Sequence, residues 1–326
     1  MQLLDDFARV FQAPDFVKPY LHLFATAEEM RLVVLLDGRS LTAGEIASVM
    51  QVAPEEMTVF LEQACRRRIL KREVRERAVL FGAATFYDRL DHYAKYGNYY
   101  VIPRKARRQL DEWCFEEYLR RNDYFKQVLE KDPDYEKCHN EWVLLLSEVE
   151  EMIAAADSIR VLPCNCKMLA DNCGFSREVC LELWQGSPEE AEGRELSKEE
   201  ARRLVRRLDR EGLMHTGGPP DWEETGRGHV CNCCICCCYP LRAARRLGTK
   251  GKWPRSRYIA VYDRERCHYC GLCTKRCPFG AFYHDGGEIV KEGIARKNVV
   301  FDSELCWGCG LCFNACPGQA ITMERI

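Results

Sequence analysis

Two four-cysteine runs carry the most specific chemistry in the chain. "CHYCGLCTKRCP" and "CWGCGLCFNACP" both spell C-x2-C-x2-C-x3-C-P, at Cys267, Cys270, Cys273 and Cys277 and again at Cys306, Cys309, Cys312 and Cys316. Thiolates at this spacing let one tight loop wrap a [4Fe-4S] cubane, and the fourth cysteine of each run ligates the other cluster. The expected ligand sets are therefore Cys267, Cys270, Cys273 and Cys316 for one cluster, and Cys306, Cys309, Cys312 and Cys277 for the second. Gly271 and Gly310 remove a Cβ where the backbone must approach sulfide, and Pro278 and Pro317 turn the chain without giving up a needed donor. The duplication extends beyond sulfur. Asp263 and Asp302 each sit four residues before the first ligand, and Ala281 and Ala320 four after the last, which predicts two halves related by a pseudo-twofold. Zinc is the competing assignment, but zinc ligands typically come as two separated C-x2-C pairs.

A second block holds ten cysteines: Cys164, Cys166, Cys173 and Cys180, then Cys231, Cys233, Cys234, Cys236, Cys237 and Cys238 within "HVCNCCICCCYP". All ten are candidate ligands of an additional cluster or clusters. Six adjacent thiols cannot all bind one cubane, which takes four. In a loop, Cys231, Cys234 and Cys237 form one register and Cys233 and Cys236 another; on a helix the faces are Cys231, Cys234 and Cys238 against Cys233, Cys236 and Cys237. The ten could satisfy two cubanes with two thiols left over, one cluster larger than a cubane, or one cubane plus reactive thiols. Structural zinc and redox-active disulfides compete with these. His215 and His229 are read as hydrogen-bonding partners. From Thr225 to Tyr262 there is no acidic residue but there are eight basic ones, Arg227, Arg242, Arg245, Arg246, Lys250, Lys252, Arg255 and Arg257. They suit an anionic cluster whose potential they would raise, a phosphate backbone, or an acidic partner.

The elements that must position these residues are partly legible. An apolar strand, Ile159 to Leu162, leads into Cys164. Ser197 and Glu200 form a capping box for a helix that Gly212 ends, and Leu213, Met214 and His215 leave it as a strand. Between the two cysteine runs, "FYHDGGEIVKEGIARKNVVF" predicts a hairpin turning at Asp285-Gly286-Gly287. Upstream, Ala27 to Ala84 reads as three helices and a hairpin, with Ser40 or Thr42 capping the second helix and Pro54 in the first turn of the third. Arg104 to Arg121 and Asp134 to Ala156 read as amphipathic helices joined by "KDPDYEKCHNEW". Cys65, Cys114 and Cys138 lie on helical patterns as small hydrophobes, and "YAKYGNYYVIP" is assigned to core packing. No glycine-rich dinucleotide fingerprint or phosphate loop is present.

Residues 257–326 closely resemble two-cluster bacterial ferredoxins. Residues 159–326 are similar to a group of iron-sulfur proteins of anaerobes, in which a C-x-C element, a "S-x-EEA" helix ending in "EGLMH" and a "CNCC-x-CCC" element precede such a domain. The resemblance implies single electrons carried at low potential, with relay rather than catalysis as the role. Residues 27–84 resemble a winged helix. Glu55, Glu56 and Glu62 stand where a DNA-reading helix needs donors, and the basic run Arg66 to Arg68 comes at its far end, so docking or a structural role is favoured over nucleic acid.

The 326 residues suffice for two or three domains with buried cores, and 21 cysteines in a chain of this size do not suit a disulfide scaffold. The start, MQLLDDFARVF, is acidic where a signal peptide is basic, no stretch has the length of a membrane span, and a net charge of −2 excludes a globally basic nucleic-acid binder. The expectation is a cytoplasmic, multidomain α+β protein. It comprises a winged-helix-like domain (1–103), a helical connector (104–157), a cysteine-rich α+β metal-binding domain (158–256) and a dicluster ferredoxin fold (257–326). Its cofactors are two [4Fe-4S] clusters and at least one further iron-sulfur cluster in the middle domain. Its partner is a redox protein, either an oxidoreductase or a flavoprotein. An iron-sulfur reductase with a non-standard middle cluster and a redox-sensing winged-helix regulator are the alternatives.

Overall fold

The computed structural model describes residues 2–76, 78–122, 142–188, 191–218 and 221–326. It is a mixed helix and strand protein that divides into two compact units, residues 1–118 with 168–170, and residues 119–167 with 171–326.

In the first unit, Thr26 and Glu29 close a capping box on helix Ala27–Leu36. Thr42 and Glu45 do the same for Ala43–Met50, so Thr42 is the cap while Ser40 lies in the short strand Ser40–Thr42. Pro54 is the first residue of helix Pro54–Arg66, where its missing N–H costs nothing. Strands Leu70–Arg75 and Ala78–Ala83 pair antiparallel, and Ser40–Thr42 adds to the other edge of Ala78–Ala83. Phe24 and Phe86 meet edge to face at 4.9 Å; of the stretch expected as core, Tyr93 and Tyr99 are buried, while Tyr96, Tyr100 and Val101 are exposed. Arg104–Arg121 is helical; Cys114 is buried and Cys65 half-buried.

The second unit is built on a six-stranded antiparallel sheet. Its strand order is Trp142–Leu144, Met214–Gly218, Arg227–Cys233, Glu178–Trp184, Ser158–Pro163 and Arg194–Glu195. Helices Leu146–Ala155 and Lys198–Glu211 cover one face, where Val149, Ile153, Ala201 and Val205 pack on Ile159, Val161, Leu181, Leu183 and Val230. Ser197 and Glu200 form the capping box, and Gly212 ends the helix in the left-handed region. Because side chains alternate along a strand, the residues between these apolar ones point to the opposite face: Cys180, Cys231 and Cys233.

The helix expected over Asp134 to Ala156 is corrected for the described part. Trp142–Leu144 is a strand, because its backbone pairs with His215 to Gly217, and the helix starts at Leu146. Much of the span expected as a helical connector therefore belongs to other bodies: Arg104 to Tyr118 lies in the first unit and Trp142–Leu144 in the sheet of the second. Cys138 and most of "KDPDYEKCHNEW" lie outside the described residues.

Downstream of the sheet, Tyr258–Tyr262 pairs with Ile321–Arg325, and Phe282–Tyr283 with Val300–Phe301. The internal symmetry is visible in two reciprocal bonds: Asp263 N donates to Ala320 O at 2.9 Å, and Asp302 N to Ala281 O at 2.8 Å. The insert forms a hairpin, Glu288–Lys291 with Ile294–Lys297. Its turn is Glu292-Gly293, both at positive φ as a two-residue hairpin loop demands, and not Asp285-Gly286-Gly287. Asp285 instead makes the entry bend, accepting from Gly287 N at 2.9 Å and Asn298 Nδ2 at 2.7 Å.

Candidate metal centres

Each cysteine run of the tail bends around a glycine in the left-handed region. Gly271 (φ 71°) starts the short helix Leu272–Arg276, and Gly310 (φ 75°) starts Leu311–Asn314. The result is two cavities. Cys267, Cys270, Cys273 and Cys316 line one; Cys277, Cys306, Cys309 and Cys312 line the other. Backbone N–H groups aim at sulfur in both: Tyr269 N at Cys267 Sγ (3.2 Å), Ala320 N at Cys316 Sγ (3.2 Å) and Gly308 N at Cys306 Sγ (3.4 Å). Such donors stabilise thiolate over thiol. Burial acts the other way and pushes Cys273 and Cys309 up to about 12, a cost that metal coordination removes. Four converging sulfurs with amide donors and apolar walls of Tyr262, Phe282 and Trp307 are a donor set that fits a cubane.

Residues 259–317 match the family model for a 4Fe-4S dicluster domain. The match covers the tail alone. No curated protein and no solved structure matches the chain.

Upstream of the dicluster domain, the ten middle cysteines separate into two groups. Cys173, Cys234, Cys236 and Cys237 bring their four sulfurs within 4.8 Å of one another, close enough to share a metal. Cys173 Sγ lies 3.7 Å from Cys234 and 3.5 Å from Cys237, and Cys236 Sγ lies 3.8 Å from Cys237. A single tetrahedral ion with metal–sulfur bonds of about 2.3 Å spaces its sulfurs by about 3.8 Å. Hydrogen bonding from Cys237 pulls the Cys234 thiol down to about 5 against the effect of burial, while burial and the Cys234 charge push Cys236 up to about 12.

The other six are Cys164, Cys166, Cys180, Cys231, Cys233 and Cys238. The two registers expected from sequence are both corrected: Cys231 and Cys233 go together because they share one face of a strand, and Cys238 joins them as the residue that opens helix Tyr239–Leu247. Cys234, Cys236 and Cys237, in the turn between, gather around Cys173 instead. The dicluster match and this cysteine grouping together support an iron-sulfur electron-transfer protein. Among the described residues no helix is long and apolar enough to cross a membrane.

Several residues beside the sulfurs carry no motif. Lys167 is 3 % exposed, and its Nζ donates to Asn232 O at 2.6 Å. Burial lowers its pKa, but the neighbouring Cys164, Cys233, Cys234 and Cys180 charges outweigh that and raise it. The Asn232 side chain meets His215 Nδ1 at 2.6 Å and donates to Val179 O. His215 is a fully buried hydrogen-bonding partner, with its Nε2 3.8 Å from Asp209. Asp209 in turn accepts from Asn314 Nδ2 at 2.8 Å and pairs with Arg276 at 3.5 Å. By contrast, two cations of the acid-free stretch are spent on structure: Arg227 pairs with Glu182 and Arg257 with Glu148, each at 2.7 Å.

Proposed function

We propose that the chain relays low-potential electrons through the dicluster domain and a further iron-sulfur centre of the middle domain to a partner oxidoreductase or flavoprotein. Each bound cubane supplies a one-electron couple. The chain's own residues hold it: Cys267, Cys270, Cys273 and Cys316 at one site, Cys306, Cys309, Cys312 and Cys277 at the other. Tyr269, Ala320 and Gly308 donate to the sulfurs, and Tyr262, Phe282 and Trp307 wall the cavities. The observation that carries the relay is that both kinds of cysteine site share one compact unit, joined through Asp209, Arg276 and Asn314.

Iron, zinc and acid-labile sulfide, measured on anaerobically reconstituted protein, test it. About twelve irons or more, with sulfide to match, supports a middle cluster; about eight sulfides means that the tail alone carries clusters and overturns the relay beyond it. In this reading the first unit docks the partner. Its helix-and-hairpin order supports a winged helix, and Glu55 and Glu56 in the first turn of Pro54–Arg66 disfavour phosphate there.

One observation favours an iron-sulfur reductase as the second reading. A cleft of about 460 Å³ opens beside Cys173 and is lined by Arg177, Arg194 and Arg207 together with Glu178; Arg177 pairs with Asp171 and Arg207 with Glu211, and the excess of cations suits an anionic substrate. Oxidation of the dithionite-reduced chain by small oxyanions, lost in Arg194→Ala, would support it; no oxidation would reject it.

A further inference from the structure

The six-cysteine group is a closed ring of thiols. Cys164 neighbours Cys166 and Cys180, Cys180 neighbours Cys231, and Cys231 shares a strand face with Cys233. Cys233 meets Cys238 at 3.2 Å, and Cys238 returns to Cys166. Every member touches two others, so no subset of four stands apart as a cubane's ligands. Nor do the sulfurs converge on one ion: among the described residues, the cysteine group whose sulfurs all lie within 4.8 Å of one another is the separate Cys173 set.

Its surroundings call for negative charge. Cys164, Cys231, Cys233 and Cys238 are buried, and Lys167 buries its ammonium beside Cys164 and Cys233 with the Asn232 carbonyl as a hydrogen-bond acceptor. Burying an ammonium against neutral thiols and one carbonyl costs several kcal/mol, which an anionic metal-thiolate group offsets. Two uncharged donors add to this, Tyr239 N at Cys166 Sγ (3.4 Å) and Thr216 Oγ1 at Cys233 Sγ (3.5 Å).

We propose that Cys164, Cys166, Cys180, Cys231, Cys233 and Cys238 together hold one iron-sulfur cluster of more than four irons. Six thiolates exceed what a cubane accepts, and they suit two iron-sulfur units joined into one, each keeping three terminal thiolates or sharing some as bridges. This deepens the iron-sulfur reading above and rests on it: the middle centre of the relay becomes a multi-iron store able to pass through more than one redox step. The Cys173 group is then a separate single-ion site.

The test is iron and acid-labile sulfide per chain in fully reconstituted wild type and in the double variant Cys180→Ser/Cys231→Ser. Expected is the loss of more than about four irons and four sulfides in the variant. The reduced-state EPR signals of the tail clusters should persist in it, which separates a failed ring from a failed dicluster domain. Loss of four or fewer irons, or of none, overturns the proposal. Should the variant fail to fold, wild type alone decides, because a single-ion site contributes no sulfide. More than about twelve sulfides per chain supports the ring cluster, and twelve or fewer rejects it.

Discussion

Arg276 and Asp209 form a largely buried ion pair at 3.5 Å that ties the residue before Cys277 to the last turn of helix Lys198–Glu211. The same guanidinium donates to the carbonyls of Asp209 and Arg210, and Asn314, two residues before Cys316, donates to the other carboxylate oxygen at 2.8 Å. One acidic side chain thus grips both halves of the dicluster domain.

Asp209→Ala takes the carboxylate from Arg276, which keeps only the Asp209 and Arg210 carbonyls, and leaves Asn314 without this acceptor. Breaking a buried pair from one side costs about 3 kcal/mol, so thermal unfolding should start well below that of wild type. Asp209→Asn keeps an acceptor for Asn314 and should lose less. Equal melting of Asp209→Ala and wild type, followed by circular dichroism, would show the contact to be idle.

The crossed cavities predict a pattern of non-additivity. Cys316→Ala and Cys267→Ala should each lose about four irons, and the double variant no more than either alone. Cys316→Ala combined with Cys306→Ala should lose about eight. If Cys316→Ala proved additive with Cys267→Ala instead, each run would be holding its own cluster.

Lys167→Met removes the buried cation while keeping most of the side-chain length. An anionic centre beside it is then harder to reduce, so its midpoint potential should fall by an amount on the order of tens of mV, with the tail potentials unmoved. Anaerobic redox titration by EPR reads both. A fall confined to the tail clusters would place the middle centre elsewhere.

Ser197→Ala removes a cap from helix Lys198–Glu211 and should cost about 1 kcal/mol at neutral pH. Glu200 accepts from the Ser197 backbone and hydroxyl, which hold its carboxyl below its usual value of 4.5. A depressed acid stabilises the fold above its unfolded pKa and loses that contribution as pH falls through the folded one. The Glu200 share of the capping box should therefore be intact at pH 6 and fade below about pH 4.5. Thermal scans of Glu200→Gln and wild type across that range should converge at the acid end; a gap that widens there would contradict the assignment.

The tail was legible because its ligands are local: three of four lie within seven positions, and the spacing alone encodes the loop. The hairpin turn was misplaced because Asp285-Gly286-Gly287 has the stronger turn composition, yet its Asp side chain is used on Asn298 and Gly287 N, and Glu292-Gly293 supplies the positive φ values. The helix start near Asp134 failed in its described part because pairing to His215–Gly217 overrides helical propensity at Trp142–Leu144. The division of the ten middle cysteines was illegible for a different reason. It depends on where strand Arg227–Cys233 stops, which switches the side-chain period in the middle of "CNCCICCC". Asp209 bears on the sites only through chain segments far apart in sequence, and Lys167, though it follows Cys166 directly, reveals its burial only through its contact with the distant Asn232.

Strand Arg227–Cys233 is hydrogen-bonded along both edges, to Met214–Gly218 on one side and Glu178–Trp184 on the other. Cys231 and Cys233 therefore sit, buried, on a strand held from both sides, and their separation along it is fixed by the pleat. Freeing that strand draws on the stability of the whole unit, so these two sulfurs keep their places whatever the loops around them do.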